Sequence, residues 1–249
     1  MRCAALRFAC VMMGVWAAGA AGAQAAVKPD GVWHYAVGAG ASVASGNSDS
    51  QAANVNAEAV RATVQDKWSL NARANYAKND GDTTTDLMSA AARYDHNLNA
   101  RWFAFGSGEA MRDRPANLSR RLSAATGLGY HWIKSEQTQW DLFAGVGYTK
   151  EHYRHPQVVA DALRSRYDYA EGLFGQESTQ QLTASTTFKQ RLVVYPNASE
   201  GGEFRAVFDA GLSVAINKTL SLTLTVNHRY HSDPGAGLNK SDTLVVTGV

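Results

Sequence analysis

Histidine, serine and carboxylate side chains are the groups that could perform catalysis in this chain, and their spacing does not form a catalytic site. A serine nucleophile needs a base within hydrogen-bond reach, and residues two positions apart share one face of a strand. None of the seven histidines has a serine at that spacing, and His231 and Ser232 are adjacent. His228, His231 and Asp233 come nearest to the acids and histidine of a protease, but such groups are common in loops. We therefore expect no catalytic residues.

The amino terminus has the composition of a secretory signal peptide. Two arginines precede or flank the start of an apolar stretch from Phe8 to Ala20, and small residues follow. We expect residues 1–25 to be removed, which leaves residues 26–249 as one domain. Cys3 and Cys10 lie in the removed segment, so the mature chain has no thiol for a disulfide or a metal. The histidines share no ligand spacing, and neither a metal nor another cofactor is predicted.

The charge of the mature chain is balanced. Removal of the signal peptide leaves 22 basic and 22 acidic residues, so a nucleic-acid partner is not indicated. Mean hydropathy is −0.29, and no apolar run approaches the roughly 20 residues of a spanning helix. Both a soluble β-protein and a membrane protein built from strands fit these values.

The alternation of apolar and polar residues predicts long β-strands. From Phe204 to Ile216 every second residue is apolar, and the pattern resumes from Leu220 to Val226 after a short turn. This is typical of a hairpin whose strands have one apolar face. A strand in a soluble sandwich runs about 5 to 6 residues, whereas crossing a bilayer takes about 9 to 11. The length of these strands favours a hairpin that spans a membrane.

The same alternation predicts twelve strands between Trp33 and Val249. Residues 79–84, which include Asp80 and Gly81, form a predicted linker. Residues 154–168 form the longest predicted break, and a helical turn is predicted within residues 158–165. The connections after odd-numbered strands are predicted to be longer than those after even-numbered strands, as in outer-membrane barrels with short periplasmic turns.

Aromatic residues collect at the predicted strand ends. If the amino terminus is periplasmic, the tryptophans of the mature chain fall at periplasmic ends, and most tyrosines fall at or beyond the outer ends. Two girdles of aromatic residues at the membrane interfaces account for this distribution. We therefore predict an all-β, transmembrane, antiparallel up-and-down barrel of twelve strands in the outer membrane of a Gram-negative cell. The tryptophans concerned are Trp33, Trp68, Trp102, Trp132 and Trp140.

Charged residues on the predicted inward faces give the candidate functional positions, and they fit two functions. If water fills the lumen, the excess of arginine favours a narrow porin-like channel with weak anion preference. If the charges pair across the barrel, they form a plug and the protein has a structural role. The predicted lumen-lining residues are Glu58, Arg73, Arg93, Asp95, Asp141, Lys189, Arg191, Arg205, Asp209 and Arg229.

The predicted partners are those of an outer-membrane protein. They are the outer-membrane lipid, the barrel-insertion machinery and lipopolysaccharide, whose phosphates would contact Arg154, Arg164 and Arg166 in the longest outer loop. A porin-like channel is the first alternative to a non-enzymatic structural barrel, and an outer-membrane hydrolase is the second.

Four short segments resemble the family of salt-induced outer-membrane proteins that carry domain of unknown function 481. They are Ser45-Gly46-Asn47-Ser48-Asp49, Gly127-Leu128-Gly129-Tyr130, Val194-Tyr195-Pro196-Asn197 and Asp242-Thr243-Leu244. Their order and spacing cover nearly the whole mature chain. The resemblance implies an outer-membrane barrel linked by name to salt response, and it supplies no catalytic residue. We therefore expect a non-enzymatic barrel with a role in the response to salt or osmotic stress or in envelope integrity. Such barrels usually end in an aromatic residue, whereas this sequence ends at Val249, so we expect either a truncated sequence or another insertion signal.

Overall fold

The computed structural model describes residues 29–45, 49–159, 162–199, 201–217, 221–233 and 239–248. The predicted signal peptide and the centre of the 45–49 turn lie outside these ranges. Within them the chain forms β1 (Trp33–Ala44), β2 (Ser50–Ala62), β3 (Asp66–Asn79), β4 (Asp82–Asn97), β5 (Trp102–Asp113), β6 (Leu118–Lys134), β7 (Thr138–Val159), β8 (Ala162–Gln181), β9 (Thr186–Pro196), β10 (Phe204–Ala215), β11 (Ser221–His231) and β12 (Ser241–Gly248).

The strands form a single antiparallel sheet in which each strand pairs with its neighbours in sequence, from β1 to β12. Side chains of β4 and β8 meet across the curved sheet, and β2 and β3 line one cavity together with β9 to β12. The sheet is therefore curled into a half-barrel. Within the described residues β1 and β12 do not pair with each other. The predicted all-β, up-and-down fold of twelve strands is confirmed.

No helix in the part of the chain that the structure describes is both long and apolar enough to cross a membrane.

Alternation along each strand separates an inner face from an outer face. We define the inner face as the one that carries Arg93 and Glu177, which approach each other from β4 and β8. The outer face carries large apolar side chains that remain exposed, such as Val37 (73% exposed) and Val146 (65% exposed). A water-soluble sheet would cover such a surface, whereas lipid satisfies it without further protein.

The connections at one end of the sheet differ from the prediction. β3 and β4 are joined directly by Asp80 and Gly81, whose φ angles are 50° and 87°. Positive φ at both central residues is the geometry of a tight hairpin turn, which Asp-Gly favours. The predicted linker over residues 79–84 is therefore wrong, because both strands continue to the turn.

The β7–β8 hairpin also continues through the predicted break at residues 154–168. Val158 and Val159 are opposite Leu163 and Ala162, so the predicted helical turn is wrong. Branched valine side chains favour the extended conformation over the helical one. A register shift between His152 and Gln157 accommodates the residues that interrupt the alternation. The pattern of longer connections after odd-numbered strands does not hold here, because the chain extends as strand rather than loop.

The five tryptophans of β1, β3, β5, β6 and β7 lie at one end of the sheet, which we call the tryptophan end. Two of them pack against tyrosines there: the ring centroids of Trp68 and Tyr94 are 4.6 Å apart, and those of Trp102 and Tyr130 are 5.1 Å apart in an edge-to-face arrangement. The opposite end, which carries the β3–β4 and β7–β8 hairpins, is called the hairpin end. The predicted clustering of tryptophan at one end is confirmed.

Candidate functional site

A row of polar side chains crosses six strands of the inner face at one level. The imidazole Nδ1 of His131 lies 2.6 Å from Oδ1 of Asp141, and the amide of Asn227 donates a 2.7 Å hydrogen bond to Asp209. Antiparallel pairing brings these residues together, because positions opposite each other on neighbouring strands share a face. In order across the sheet the row is His131, Asp141, Glu177, Arg191, Asp209 and Asn227.

Arg93 of β4 reaches this row from the other side of the curled sheet. Its Nε donates a 2.8 Å hydrogen bond to Asp95, and its Nη1 lies 3.8 Å from Glu177. The guanidinium also lies 4.7 Å from the ring centre of Phe105 and 4.9 Å from that of Phe143. Cation and aromatic faces attract each other more strongly where water is excluded. Arg93 therefore connects the polar row to an apolar cluster inside the half-barrel.

Aromatic rings fill the space inside β5 to β8, and glycines on the neighbouring strands make room for them. Phe103 is opposite Gly129, which is opposite Phe143, which in turn is opposite Gly175. A Cβ atom added to Gly129 would lie 2.0 Å from the Phe103 ring, and one added to Gly175 would lie 2.5 Å from the Phe143 ring. Each ring therefore lies against bare backbone. Val193 extends this packing and is fully buried.

Two buried carboxylates, those of Glu151 and Glu171, lie on the inner face nearer the hairpin end. Glu151 accepts a 2.7 Å hydrogen bond from Arg121 and further hydrogen bonds from the hydroxyls of Tyr153 and Tyr169. Oε1 of Glu151 is thus satisfied from β6 and β8, and Oε2 is satisfied by Tyr153 of the same strand. We call Glu151, Glu171 and the side chains that donate hydrogen bonds to them the hairpin-end network.

Glu171 forms the second half of the hairpin-end network. It accepts a 2.6 Å hydrogen bond from Arg205 and a 2.9 Å hydrogen bond from Thr149. The Glu171 side chain is 5% exposed and that of Arg205 is 18% exposed. A buried carboxylate is stable only if its charge and lone pairs are satisfied, and this pair meets both conditions.

The other half of the inner face is open. A cavity of about 720 Å³ lies against β2 and β3 on one side and β7 to β12 on the other. Its inward-pointing charges are equal in number, four basic (Lys67, Arg73, Lys189, Arg191) and four acidic (Glu58, Asp141, Glu177, Asp209). Between them lie side-chain amides and hydroxyls, including Asn54, Asn56, Asn71, Asn75, Gln139, Thr225 and Asn227.

The sequence of the chain matches a known protein family over most of its length. The family described as Protein of unknown function, DUF481, matches residues 37–249. The chain belongs to this family. The resemblance to the family that carries domain of unknown function 481 is therefore confirmed.

Among solved structures, this DUF481 chain is similar to the NanC porin in a rhombohedral crystal form. The TM-score is 0.49 with 10% sequence identity, over 85% of this chain and 97% of that chain. No curated protein sequence matches the chain.

All ten charged residues predicted to line the lumen of this DUF481 protein lie on the inner face, but they fall into three groups. Arg93, Asp95 and Arg205 lie in the half of the inner face that the aromatic rings and the hairpin-end network occupy, which we call the filled half. Arg229 lies near the hairpin end of β11, opposite Asp242 of β12. The remaining six line the open cavity: Glu58, Arg73, Asp141, Lys189, Arg191 and Asp209.

Glu151, Glu171 and Glu177 are inner-face residues that the sequence interpretation missed. Glu171 and Glu177 lie on β8, where polar residues occupy both faces of the strand from 176 to 181 and hide the alternation. The register between β7 and β8 assigns both to the inner face, because Glu171 is opposite Gly147 and Glu177 is opposite Asp141, and the alternation along β7 is clear. These three carboxylates partner four of the arginines of the inner face.

The three arginines predicted as loop contacts for lipopolysaccharide lie on strands. Arg154 is within β7, and its backbone N–H donates a 2.9 Å hydrogen bond to the carbonyl of Asn117. The guanidinium of Arg164 lies 5.0 Å from the ring centre of Tyr167. Arg166 is opposite His152 on the β7–β8 hairpin. Their placement in a loop is therefore wrong, for the reason given above for residues 154–168.

The histidines considered for catalysis do not face one another. His228 is on the outer face, where its Nδ1 lies 2.8 Å from the Thr243 hydroxyl. His231 follows it by three residues and therefore lies on the inner face, opposite Arg205. In the described part of the chain, no three histidine, cysteine or acidic side chains are grouped as they would be around a metal ion.

Proposed function

We propose that this protein is an outer-membrane β-barrel protein that lets small polar solutes cross through the open half of its lumen. The cavity of about 720 Å³ between β2 and β3 on one side and β7 to β12 on the other carries this proposal. The exposed apolar outer face supports a location in lipid, and the family and the alternating strands fit an outer-membrane barrel. The solute path follows the amide-lined side because the aromatic rings fill the other side.

The balance of charge in the cavity bears on selectivity. Four basic and four acidic side chains line it, so the field along the path is weak compared with that of a ring of like charges. The excess of arginine among the predicted lumen residues favours anions. Because the cavity charges are balanced, we expect a weaker anion preference than that excess indicates. Amide and hydroxyl groups both donate and accept hydrogen bonds, which suits uncharged or zwitterionic solutes that carry the same groups.

Single-channel recording in a planar bilayer tests the proposal. Purified wild-type protein should give discrete conductance steps, and Asn56→Trp and Asn71→Trp should lower them because an indole would occupy the cavity. Ala59→Trp is the matched control, since this residue lies on the outer face of β2 between Tyr35 and Leu70. Equal conductance in the cavity variants and the control would place the solute path elsewhere.

A structural role is the second candidate, and the ion pairs of the inner face favour it. The polar row and the hairpin-end network join β4 to β10 from the inside, as would suit a barrel that stabilises the envelope under salt or osmotic stress. Neither role requires catalysis, and we infer that the protein is not an enzyme. A folded protein that gives no conductance steps would exclude the channel and leave the structural role.

A further inference from the structure

The outer face of β6, β7 and β8 carries a group of exposed cations near the hairpin end. Arg120, His152 and Arg166 are opposite one another in a single row across the three strands. Lys150 lies in the next row of the same face, opposite Leu122 and Asp168. The side chains of Arg120, Lys150 and Arg166 are exposed. We call these three residues the cation cluster.

The height of the cation cluster above the tryptophan end matches the thickness of a membrane. Lys150 is ten residues beyond Trp140 on β7, and at about 3.3 Å per residue with a tilt of about 40° this is roughly 25 Å along the membrane normal. Every outer-face residue between them is apolar or aromatic: Leu142, Ala144, Val146 and Tyr148. The apolar band of an outer-membrane barrel is about 25 Å tall. The cation cluster therefore begins where the hydrocarbon ends.

The neighbouring charges leave the cation cluster with an excess of positive charge. Within the described residues, Arg120, Lys150 and Arg166 form no ion pair, and Asp168 is the acidic residue in their rows. On the adjoining strands, by contrast, Asp86 holds Arg112 at 3.2 Å and Arg114 at 2.8 Å. β6–β8, the longest strands of the sheet, thus bring three exposed cations without an ion pair into two adjacent rows of the outer face.

We propose that the cation cluster binds the phosphates of a phosphorylated glycolipid in the outer leaflet, with the acyl chains against the apolar band below. Arginine and lysine form charge-assisted hydrogen bonds with phosphate, and a lipid anchored in the leaflet presents phosphate at the height of Arg120, Lys150 and Arg166. This inference rests on the proposed membrane insertion. It replaces Arg154 and Arg164 as candidate lipid contacts and retains Arg166.

Native mass spectrometry of the folded protein in detergent tests this site with bisphosphorylated lipid A as the probe. The variant Arg120→Gln/Lys150→Gln/Arg166→Gln should bind lipid A on the order of tenfold more weakly than wild type. Lys78→Gln is the matched control, because Lys78 lies over the Tyr76 ring at 5.9 Å much as Lys150 lies over Tyr148 at 5.6 Å. The control should bind as wild type does. A wild-type circular dichroism spectrum for each variant shows that the barrel has folded.

Three outcomes would overturn the assignment. They are equal binding by the triple variant and wild type, equal binding of dephosphorylated lipid A, and displacement of lipid A by inorganic phosphate at similar concentration. The last would indicate a site for free anions rather than for a membrane lipid.

Cysteine labelling separates failure of this inference from failure of membrane insertion. Because the mature chain has no cysteine, Ser165→Cys at the hairpin end should react with an impermeant maleimide on intact cells. Ser135→Cys at the tryptophan end should react only after the outer membrane is opened. If labelling follows this pattern and lipid A does not bind, only the lipid site is wrong. Labelling of both positions on intact cells would contradict insertion itself, and the reverse pattern would put the cation cluster in the periplasmic leaflet.

Discussion

The two halves of the inner face differ in how far their side chains fill the interior of the half-barrel. Along β5 to β8, phenylalanine and glycine alternate from strand to strand, so the rings lie against the glycine backbone and the space is filled. Along β2, β3 and β11 several inner-face positions carry asparagine, and a cavity remains. Asparagine side chains are shorter than phenylalanine rings and prefer to stay hydrated. Cross-strand pairing of aromatic residues with glycine, rather than the number of charges, therefore decides which part of the lumen is closed.

Charged residues behave differently in the two halves for the same reason. In the filled half Arg205 is enclosed beside Glu171, whereas Arg73 faces the cavity without an ion pair among the described residues. Water screens the second charge and not the first. The same residue type is therefore held in a buried ion pair in one half and faces the cavity in the other.

The largest effect should come from breaking a buried pair in the filled half. Arg205→Gln leaves the carboxylate of Glu171, which is 5% exposed, without its cation, and this should lower the free energy of unfolding by about 3–5 kcal/mol. Adding Glu171→Gln removes the orphaned charge and should recover most of the loss. Urea unfolding of the protein in lipid vesicles, followed by tryptophan fluorescence, measures both changes.

Arg73→Gln is the control for that experiment in the open half. It removes a hydrated charge, so the expected change is below about 1 kcal/mol. If Arg73→Gln and Arg205→Gln destabilise the protein equally, the division of the lumen into filled and open halves is wrong.

A smaller effect should follow from adding one methyl group under a ring. Gly129→Ala places a Cβ atom 2.0 Å from the Phe103 ring, and the forced shift should cost about 1–3 kcal/mol. Gly106→Ala is the control, because Gly106 is on the outer face of β5 and has no atom within 4 Å of an added Cβ. Its unfolding free energy should change by less than about 0.5 kcal/mol. A second substitution, Phe103→Leu, should relieve Gly129→Ala, and failure to do so would show that the ring is not the obstacle.

The sequence was sufficient to predict the twelve strands and the faces of most of them, because alternation is a property of each strand alone. It located all twelve strands and placed every predicted lumen residue on the inner face. It was misleading at Asp80 and Gly81, where polar residues next to a turn were interpreted as a linker although Asp-Gly favours a two-residue hairpin. At the β7–β8 hairpin, polar strand residues beyond the apolar band were likewise interpreted as a loop.

The division of the lumen could not be predicted from single strands. The match of Phe103 with Gly129 and of Arg205 with Glu171 depends on register and on the curl of the sheet. β8 contributes Glu171 and Glu177, and polar residues on both of its faces obscure the periodicity that would assign them. To predict which arginines form ion pairs, one must know which residues lie opposite them on neighbouring strands. Alternation within a single strand does not give this information.

The smallest expected effect concerns ion selectivity, and it tests whether the open half is the conducting path. A unit charge about 8 Å from an ion in water contributes about 0.5 kcal/mol, or roughly a twofold change in relative permeability. Removing one cation from the balanced set by Arg73→Gln should shift the reversal potential in a salt gradient toward cations. Glu58→Gln should shift it toward anions by a similar amount, because both residues line the cavity. Arg229→Gln is the control, since Arg229 lies near the hairpin end outside the cavity lining. A shift in Arg229→Gln as large as in Arg73→Gln would place the selective part of the path at the rim, and unchanged potentials in all three variants would mean that ions do not pass beside these residues.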